Sequence, residues 1–391
     1  LSFDFDTVIA REHSDCVKYS HRTLQFGEAD LLPLWVADMD FACPPAITSA
    51  LMERATHPIY GYSVFPEGVY SALSSWLLSR HQWPVSRDSI LMCPGVLPSL
   101  CAAILAFSQP GDGVIIQPPV YFPFFSSVTD NHRRVIENPL QLKDGRYQID
   151  FDHLQQCAAQ GAKLLILCSP HNPVGRVWQK SELMEVLRIA RQFNLMIVAD
   201  EIHADLVYAP YQHLPLAILA QADNRLITAV APSKTFNVAG LGLSSLIFNR
   251  IADRKPVEKI FTQMHFSARN PFSLTAFEAA YRHGGDWKDA LMHYLQTTRD
   301  AVIDYAQQHL PGIKVLPAEA TFLLWLDCRA LGLTDPQLAD FFWRQAKVGV
   351  NAGISFGTGG SGFMRLNIAA PKSVVMQALL QFASALNKAE R

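Results

Sequence analysis

Five short runs of apolar and β-branched residues lack any alternation of polar with apolar positions: Val114–Ile116, Leu164–Leu167, Leu195–Ala199, Leu226–Val230 and Leu243–Phe248. A strand with one solvated face alternates, whereas a strand covered on both faces does not. The runs therefore predict a mainly parallel sheet sandwiched between helices, an α/β architecture. Between the second and third runs, Leu183, Val186, Leu187 and Ala190 fall at helical spacing within 181–194, behind a Ser181 cap, which completes a strand–helix–strand unit. A chain of 391 residues has material for about two domains. After about Asp286 the pattern changes to a longer helix with Val302, Tyr305 and Ala306 on one face, a Phe322–Leu326 strand, a helix near Pro336–Gln345 and a short Phe363–Ile368 strand. We expect a large domain over 46–285, a smaller α/β C-terminal domain over 286–391, and an N-terminal arm, 1–45, packing with the latter.

Composition narrows the partners. Lys and Arg number 33 against 35 for Asp and Glu, so nothing marks a polyanion-binding surface, and nucleic acid is not expected. An apolar fraction of 49% with 17% charged residues suits a large interior or a subunit interface, so a homo-oligomer is expected. The seven cysteines include no C-x-x-C pair, which points to a reducing cytoplasm and to neither a disulfide framework nor a zinc finger. Leu1–Arg11 carries Asp4 and Asp6 and no long apolar core, so no export signal is expected. The longest uncharged stretch, Ser89–Gly111, is broken by Pro94, Gly95 and Pro98 and reads as a buried loop-to-helix junction, not a membrane span.

In open parallel sheets ligands sit beyond the carboxyl ends of the strands. Leu164–Leu167 runs into Ser169-Pro170-His171-Asn172-Pro173-Val174-Gly175, Leu195–Ala199 into Asp200-Glu201-Ile202-His203, and Leu226–Val230 into Pro232-Ser233-Lys234-Thr235-Phe236-Asn237. Three strand ends thus deliver an amide, a carboxylate and an amine, spaced 28 and then 34 residues apart.

The N-P-x-G of Asn172–Gly175, the Asp200-Glu201 pair and Ser233-Lys234, in this order, resemble the fold-type I pyridoxal-phosphate enzymes of the aspartate aminotransferase superfamily (aminotransferase class I/II). More narrowly, Trp35-Val36-Ala37-Asp38-Met39-Asp40-Phe41, Tyr60-Gly61-Tyr62-Ser63, Asp200-Glu201-Ile202-His203 and Lys234-Thr235-Phe236-Asn237 look like the MalY/PatB cystathionine β-lyase branch, over nearly the whole chain. The resemblance implies a seven-stranded sheet in the large domain, pyridoxal 5'-phosphate as cofactor and a homodimer with shared active sites.

It also implies roles residue by residue. Lys234 would form a Schiff base with the cofactor aldehyde, as only a primary amine can, and then act as proton carrier. Asp200 would keep the pyridine nitrogen protonated, and Asn172 would donate to the ring oxygen. His203 stands where many relatives place a tyrosine with that same task. Tyr121, in Pro118-Pro119-Val120-Tyr121, would stack on the ring. Gly95, Val96 and Leu97, opening a helix with Pro98 in its first turn, would offer backbone donors to the phosphate. Ser233 would add a hydroxyl, and Tyr62 would reach that phosphate from the second subunit. Arg365 would grip the substrate α-carboxylate with a two-pronged contact. Two positions depart from the pattern: relatives often carry a phosphate-binding serine and arginine where this chain has Ala231 and Gly242.

Two features are set aside. Gly357–Gly362 fits G-x-G-x-x-G but precedes a strand, so it reads as a flexible loop near Arg365 and not as a dinucleotide site. Asp200, Glu201, His203 and Asp205 would not converge on a metal in extended or turn geometry, and no second ligand cluster is evident in the sequence. The expected activity is α,β-elimination from L-cystathionine or a related L-cysteine S-conjugate, giving pyruvate, ammonia and a thiol. An aminotransferase is the alternative, because one lysine can serve both routes. A further alternative is a lyase that, like some MalY-like proteins, also restrains a transcription activator through a protein partner.

Overall fold

The computed structural model describes residues 3–389. Its centre is a seven-stranded sheet in the order Ile90–Cys93, Ser244–Phe248, Leu226–Val230, Met196–Asp200, Ala162–Cys168, Gly113–Ile116 and Arg134–Glu137. All neighbours run parallel except Ser244–Phe248, which is antiparallel to both of its partners. Successive residues of one strand pack on opposite faces. Leu164, Ile166, Met196 and Val198 join Leu100, Ile104, Val257 and Phe261 on one side. Leu165, Leu167, Ile197 and Ala199 join Leu154, Leu183, Val186 and Leu187 on the other. Both faces are therefore covered, which is why the runs do not alternate.

The last third of the chain carries a four-stranded antiparallel sheet in the order Lys314–Val315, Leu323–Asp327, Phe363–Asn367 and Asn351–Ala352. It packs with the long helix Gly285–His309 and the closing helix Lys372–Ala389. Near the start of the chain, Leu32–Pro33 pairs in parallel with Val348–Gly349. No helix among the described residues is long and apolar enough to cross a membrane.

Several local expectations change. The helix expected behind Ser181 begins at Lys180, with Gln179 as its cap; Glu182 reaches back to accept the Gln179 N–H (2.7 Å), so Ser181 lies inside the first turn. Ser89–Gly111 contains an edge strand, Ile90–Cys93, ahead of the Val96–Phe107 helix. The helix expected over Pro336–Gln345 is α-helical only through Asp335–Asp340 and widens to a π-turn over Phe341–Gln345. The glycine-rich stretch before Phe363 is fastened rather than loose: Ser361 Oγ and the Gly362 N–H both donate to Asp335 (2.7 and 2.9 Å). A Cβ on Gly360 would strike the Gly353 carbonyl, which explains the glycine there.

One buried carboxylate ties the two sheets together. Glu319 accepts from Arg146 Nε (2.8 Å), Arg176 Nε (3.2 Å) and the Val177 N–H (2.8 Å), while the N–H groups of Glu319 and Ala320 both donate to the Gly175 carbonyl. Gly175 sits at φ +70° with Ala318 against it, so only glycine lets the two chain segments meet this closely. Removing one partner of a buried ion pair costs about 3–5 kcal/mol, and here the low end applies because Arg176 keeps Glu182 (2.7 Å). We expect Glu319→Gln to lower the free energy of unfolding by roughly 3 kcal/mol in urea titration, and a change within experimental error would contradict this role.

Candidate active site

The carboxyl ends of the strands open into a cavity of about 260 Å³. Asn172 stands just beyond Ala162–Cys168, Asp200 ends its own strand, and Lys234 lies on the helical turn Pro232–Thr235 that follows Leu226–Val230. All three line the cavity, together with Tyr121, His203 and Ser233. Gly95, Val96 and Leu97 line it too: the Val96–Phe107 helix begins there, so its first N–H groups, which have no partners within the helix, sit at the cavity wall. Ala231 and Gly242, the two departures, are also wall residues. Tyr62 is fully exposed and does not line the cavity of its own chain.

Burial works on every charged group here in the same sense, toward its neutral form. Burial raises Asp200 to about 6, although the Ile202 N–H donates to its Oδ1 (3.2 Å). It lowers Lys234 to about 8, helped by the Arg365 charge and opposed by Asp38 and Asp200. It pushes His203 down to about 3, with Lys234 and Arg365 adding to the effect, so the imidazole is neutral; its Nδ1 is buried without a partner. The Lys234 ammonium donates to the Ala37 carbonyl (2.6 Å), which holds the amine.

Arg365 is the least compensated charge. Its guanidinium is buried and donates to Asn172 Oδ1 (3.0 Å), Asn351 Oδ1 (2.8 Å) and the Trp35 carbonyl (3.1 Å), and it lies over the Phe356 ring (4.8 Å). None of these partners is an anion, Nε has no partner, and burial lowers the group to about 10. A desolvated cation held by neutral acceptors is built to receive an anion. Asn351 faces Arg365 across a strand pair, and only that pairing reveals it; nothing in its sequence context marks it. Glu201 and Asp205, weighed and set aside as metal ligands, turn away from the cavity. Glu201 accepts from His213 Nε2 (2.8 Å), and Asp205 takes His81, Trp76 and Thr235.

The donor set fits pyridoxal phosphate. An amine able to lose its proton near neutral pH faces the same cavity as a buried carboxylate that can ionise beside a protonated ring nitrogen. An unpartnered imidazole nitrogen, an amide, an aromatic side chain and a helix N-terminus complete the wall.

Residues 29–382 match the model of the aminotransferase class I and II family, and the chain belongs to that family. Within it, the similarity is to the MalY/PatB-like cystathionine β-lyase branch. The chain is 39% identical to cystathionine β-lyase PatB of Bacillus subtilis, covering 98% of this chain and 100% of that one. It is 32% identical to protein MalY of Escherichia coli, over 95% of each. Among solved structures, cystalysin from Treponema denticola, which contains pyridoxal 5'-phosphate, superimposes with a TM-score of 0.95 at 36% identity, covering 99% of this chain and 100% of that one.

The raised Asp200 has a measurable sign. Its carboxyl moves from 3.8 in the unfolded chain to about 6 in the folded one, so the stability it contributes is present below pH 3.8 and is lost as pH rises through 6. We expect Asp200→Asn to gain stability relative to the parent apoprotein between about pH 4 and 6, by up to about 3 kcal/mol, and to hold that gain above. A difference that does not vary with pH in parallel denaturant titrations would contradict the assignment.

Proposed function

We propose that the protein is a pyridoxal-phosphate-dependent carbon–sulfur β-lyase that eliminates a thiol from L-cystathionine or a related L-cysteine S-conjugate, leaving pyruvate and ammonia. The observation that carries this reading is the meeting, in one cavity, of a lysine amine that burial lowers to about 8 and a buried carboxylate, with the uncompensated guanidinium of Arg365 joined to the cavity wall through Asn172. The names of the most similar relatives, cystathionine β-lyase among them, support the elimination chemistry.

When bound, the cofactor supplies an aldehyde for the amine and a ring that draws electrons from the substrate α-carbon. Lys234 and Asp200 would hold its two ends, Tyr121 its face, Asn172 and His203 its ring oxygen, and Ser233 with the N–H groups at Gly95, Val96 and Leu97 its phosphate. Ala231 and Gly242 offer no side-chain donor, so more of that phosphate's anchoring falls to the backbone N–H groups and Ser233. Arg365 pairs with the substrate α-carboxylate, and Asn172, hydrogen-bonded to it, keeps the carboxylate next to the cofactor site. Lys234 Nζ, able to shed its proton near pH 8, takes the α-proton and holds it beside the Ala37 carbonyl; the β-carbon–sulfur bond then breaks with its electron pair on sulfur, and the thiolate takes up a proton from solvent to leave as the thiol.

A homodimer belongs to the same proposal. Tyr62 is wholly exposed within Ile59–Val64, an irregular segment that also exposes Ile59, Tyr60 and Val64. That surface suits a second copy of the chain, which would bring Tyr62 to the phosphate end of the neighbouring site. All seven cysteines are free, in keeping with a reducing cytoplasm.

Incubating the holoprotein with L-cystathionine alone should release pyruvate and thiol. Product that forms only when a keto acid is added would make the protein an aminotransferase instead. Lys234→Ala should abolish both turnover and the visible cofactor absorbance, and full turnover in that variant would remove the lysine from the mechanism. Arg365→Ala should raise KM by on the order of 100-fold with a smaller change in kcat; an unchanged KM would overturn its role.

A further inference from the structure

Residues 35–41 cross the site as a strap whose carbonyls are nearly all taken by groups from two different elements. The Trp35 carbonyl accepts from Arg365 and the Ala37 carbonyl from Lys234. Asn367, two residues after Arg365 on the same strand, donates to Val36 O (2.6 Å) and Asp38 O (2.7 Å). Asn237, three residues after Lys234, donates to Met39 O (3.0 Å) and Phe41 O (2.8 Å) and accepts the Met39 N–H (3.0 Å). The strap thus spans from the turn that carries the amine to the strand that carries the guanidinium.

Its side chains are fixed by two cations from outside the cavity. Arg11 spans both acids, reaching Asp38 with Nη2 (2.7 Å) and Asp40 with Nη1 (2.6 Å). Lys18, with no exposed surface, lies 2.9 Å from Asp40 Oδ2 and 3.3 Å from Asp38 Oδ1. Two cations balance two anions in a largely buried cluster, so each charge is tied to a fixed partner.

We infer that Arg11 and Lys18 are positioning residues of this active site: by neutralising Asp38 and Asp40 they hold the 35–41 strap in register, so that Lys234 and Arg365 are oriented by one piece of backbone. The inference rests on the proposed role of Lys234. Neither cation lines the cavity, and each meets the strap at Asp38 and Asp40.

The arrangement gives the electrostatics a sign. The charges that face the Lys234 nitrogen are Arg365 from the small sheet, Asp200 from the large sheet and Asp38 from the strap; His203 beside them is neutral. Arg11 and Lys18 hold the Asp38 carboxyl below its ordinary range against the upward push of burial, and they also balance its field. Without Arg11, Asp38 acts more strongly on Lys234 and favours a positive charge there. Without the Asp38 carboxylate, that charge is disfavoured.

The test is the pH titration of the visible absorbance of the holoprotein, read with its kinetics on L-cystathionine. Arg11→Met should move the absorbance midpoint up by on the order of half a unit and Asp38→Asn should move it down. Arg11→Lys, which restores the charge, should return it toward the parent value. Arg344→Met, which removes an exposed cation paired with Asp340, should leave both midpoint and rate unchanged. Arg11→Met and Asp38→Asn shifting the same way, or neither shifting, overturns the inference. Should Arg11→Met not fold, Asp38→Asn decides alone, because it keeps the shape and both cations. A parent protein without visible absorbance would instead overturn the proposed cofactor role of Lys234, so the two failures are distinguishable.

Discussion

A sheet buried on both faces has one place to present polar side chains, and that is past the ends of its strands. Every residue of Gly113–Ile116, Met196–Asp200, Leu226–Val230 and Ser244–Phe248 is buried. Asn172, Asp200 and Lys234 therefore meet although they are far apart in the chain, because three neighbouring parallel strands all end at the same edge. The packing that stabilises the fold is also what gathers the chemistry.

The gathered groups share an electrostatic strain. Asp200 is raised while Lys234, His203 and Arg365 are lowered, each chiefly by loss of water. Charges stripped of water by burial respond strongly to charges that arrive with a ligand. In the proposed arrangement, a phosphate at the helix N-terminus, a protonated ring nitrogen beside Asp200 and a carboxylate beside Arg365 would each bring the charge that the adjoining residue lacks. The Arg11, Lys18, Asp38 and Asp40 cluster is the opposite case, internally balanced and suited to holding backbone still.

Much of this was legible in the residues alone. The five apolar runs mark the five inner strands, one of them antiparallel, and the polar residues that follow three of them line the candidate site. The two edge strands were not legible: Arg134–Glu137 mixes charged with apolar positions, and Ile90–Cys93 runs without a charged residue into the apolar helix that follows, so nothing local separates the two. Strand direction was hidden as well: nothing in the Leu243–Phe248 run distinguishes an antiparallel strand from a parallel one. Ser181 misled because a serine ahead of a helical pattern is a sound cap signal, yet Glu182 reaching back to Gln179 starts the helix earlier. Asn351, Asn367 and the Arg11–Lys18 cluster depend on pairings across long stretches of chain, which no local pattern records.

The central claim is that the amine at position 234 carries the cofactor within this cavity. Borohydride reduction of the holoprotein, followed by proteolysis and mass spectrometry of the peptides, measures it directly. The account predicts one pyridoxyl-phosphate adduct per chain, on the peptide containing Lys234. An adduct on another lysine, with Lys234 unmodified, would contradict it.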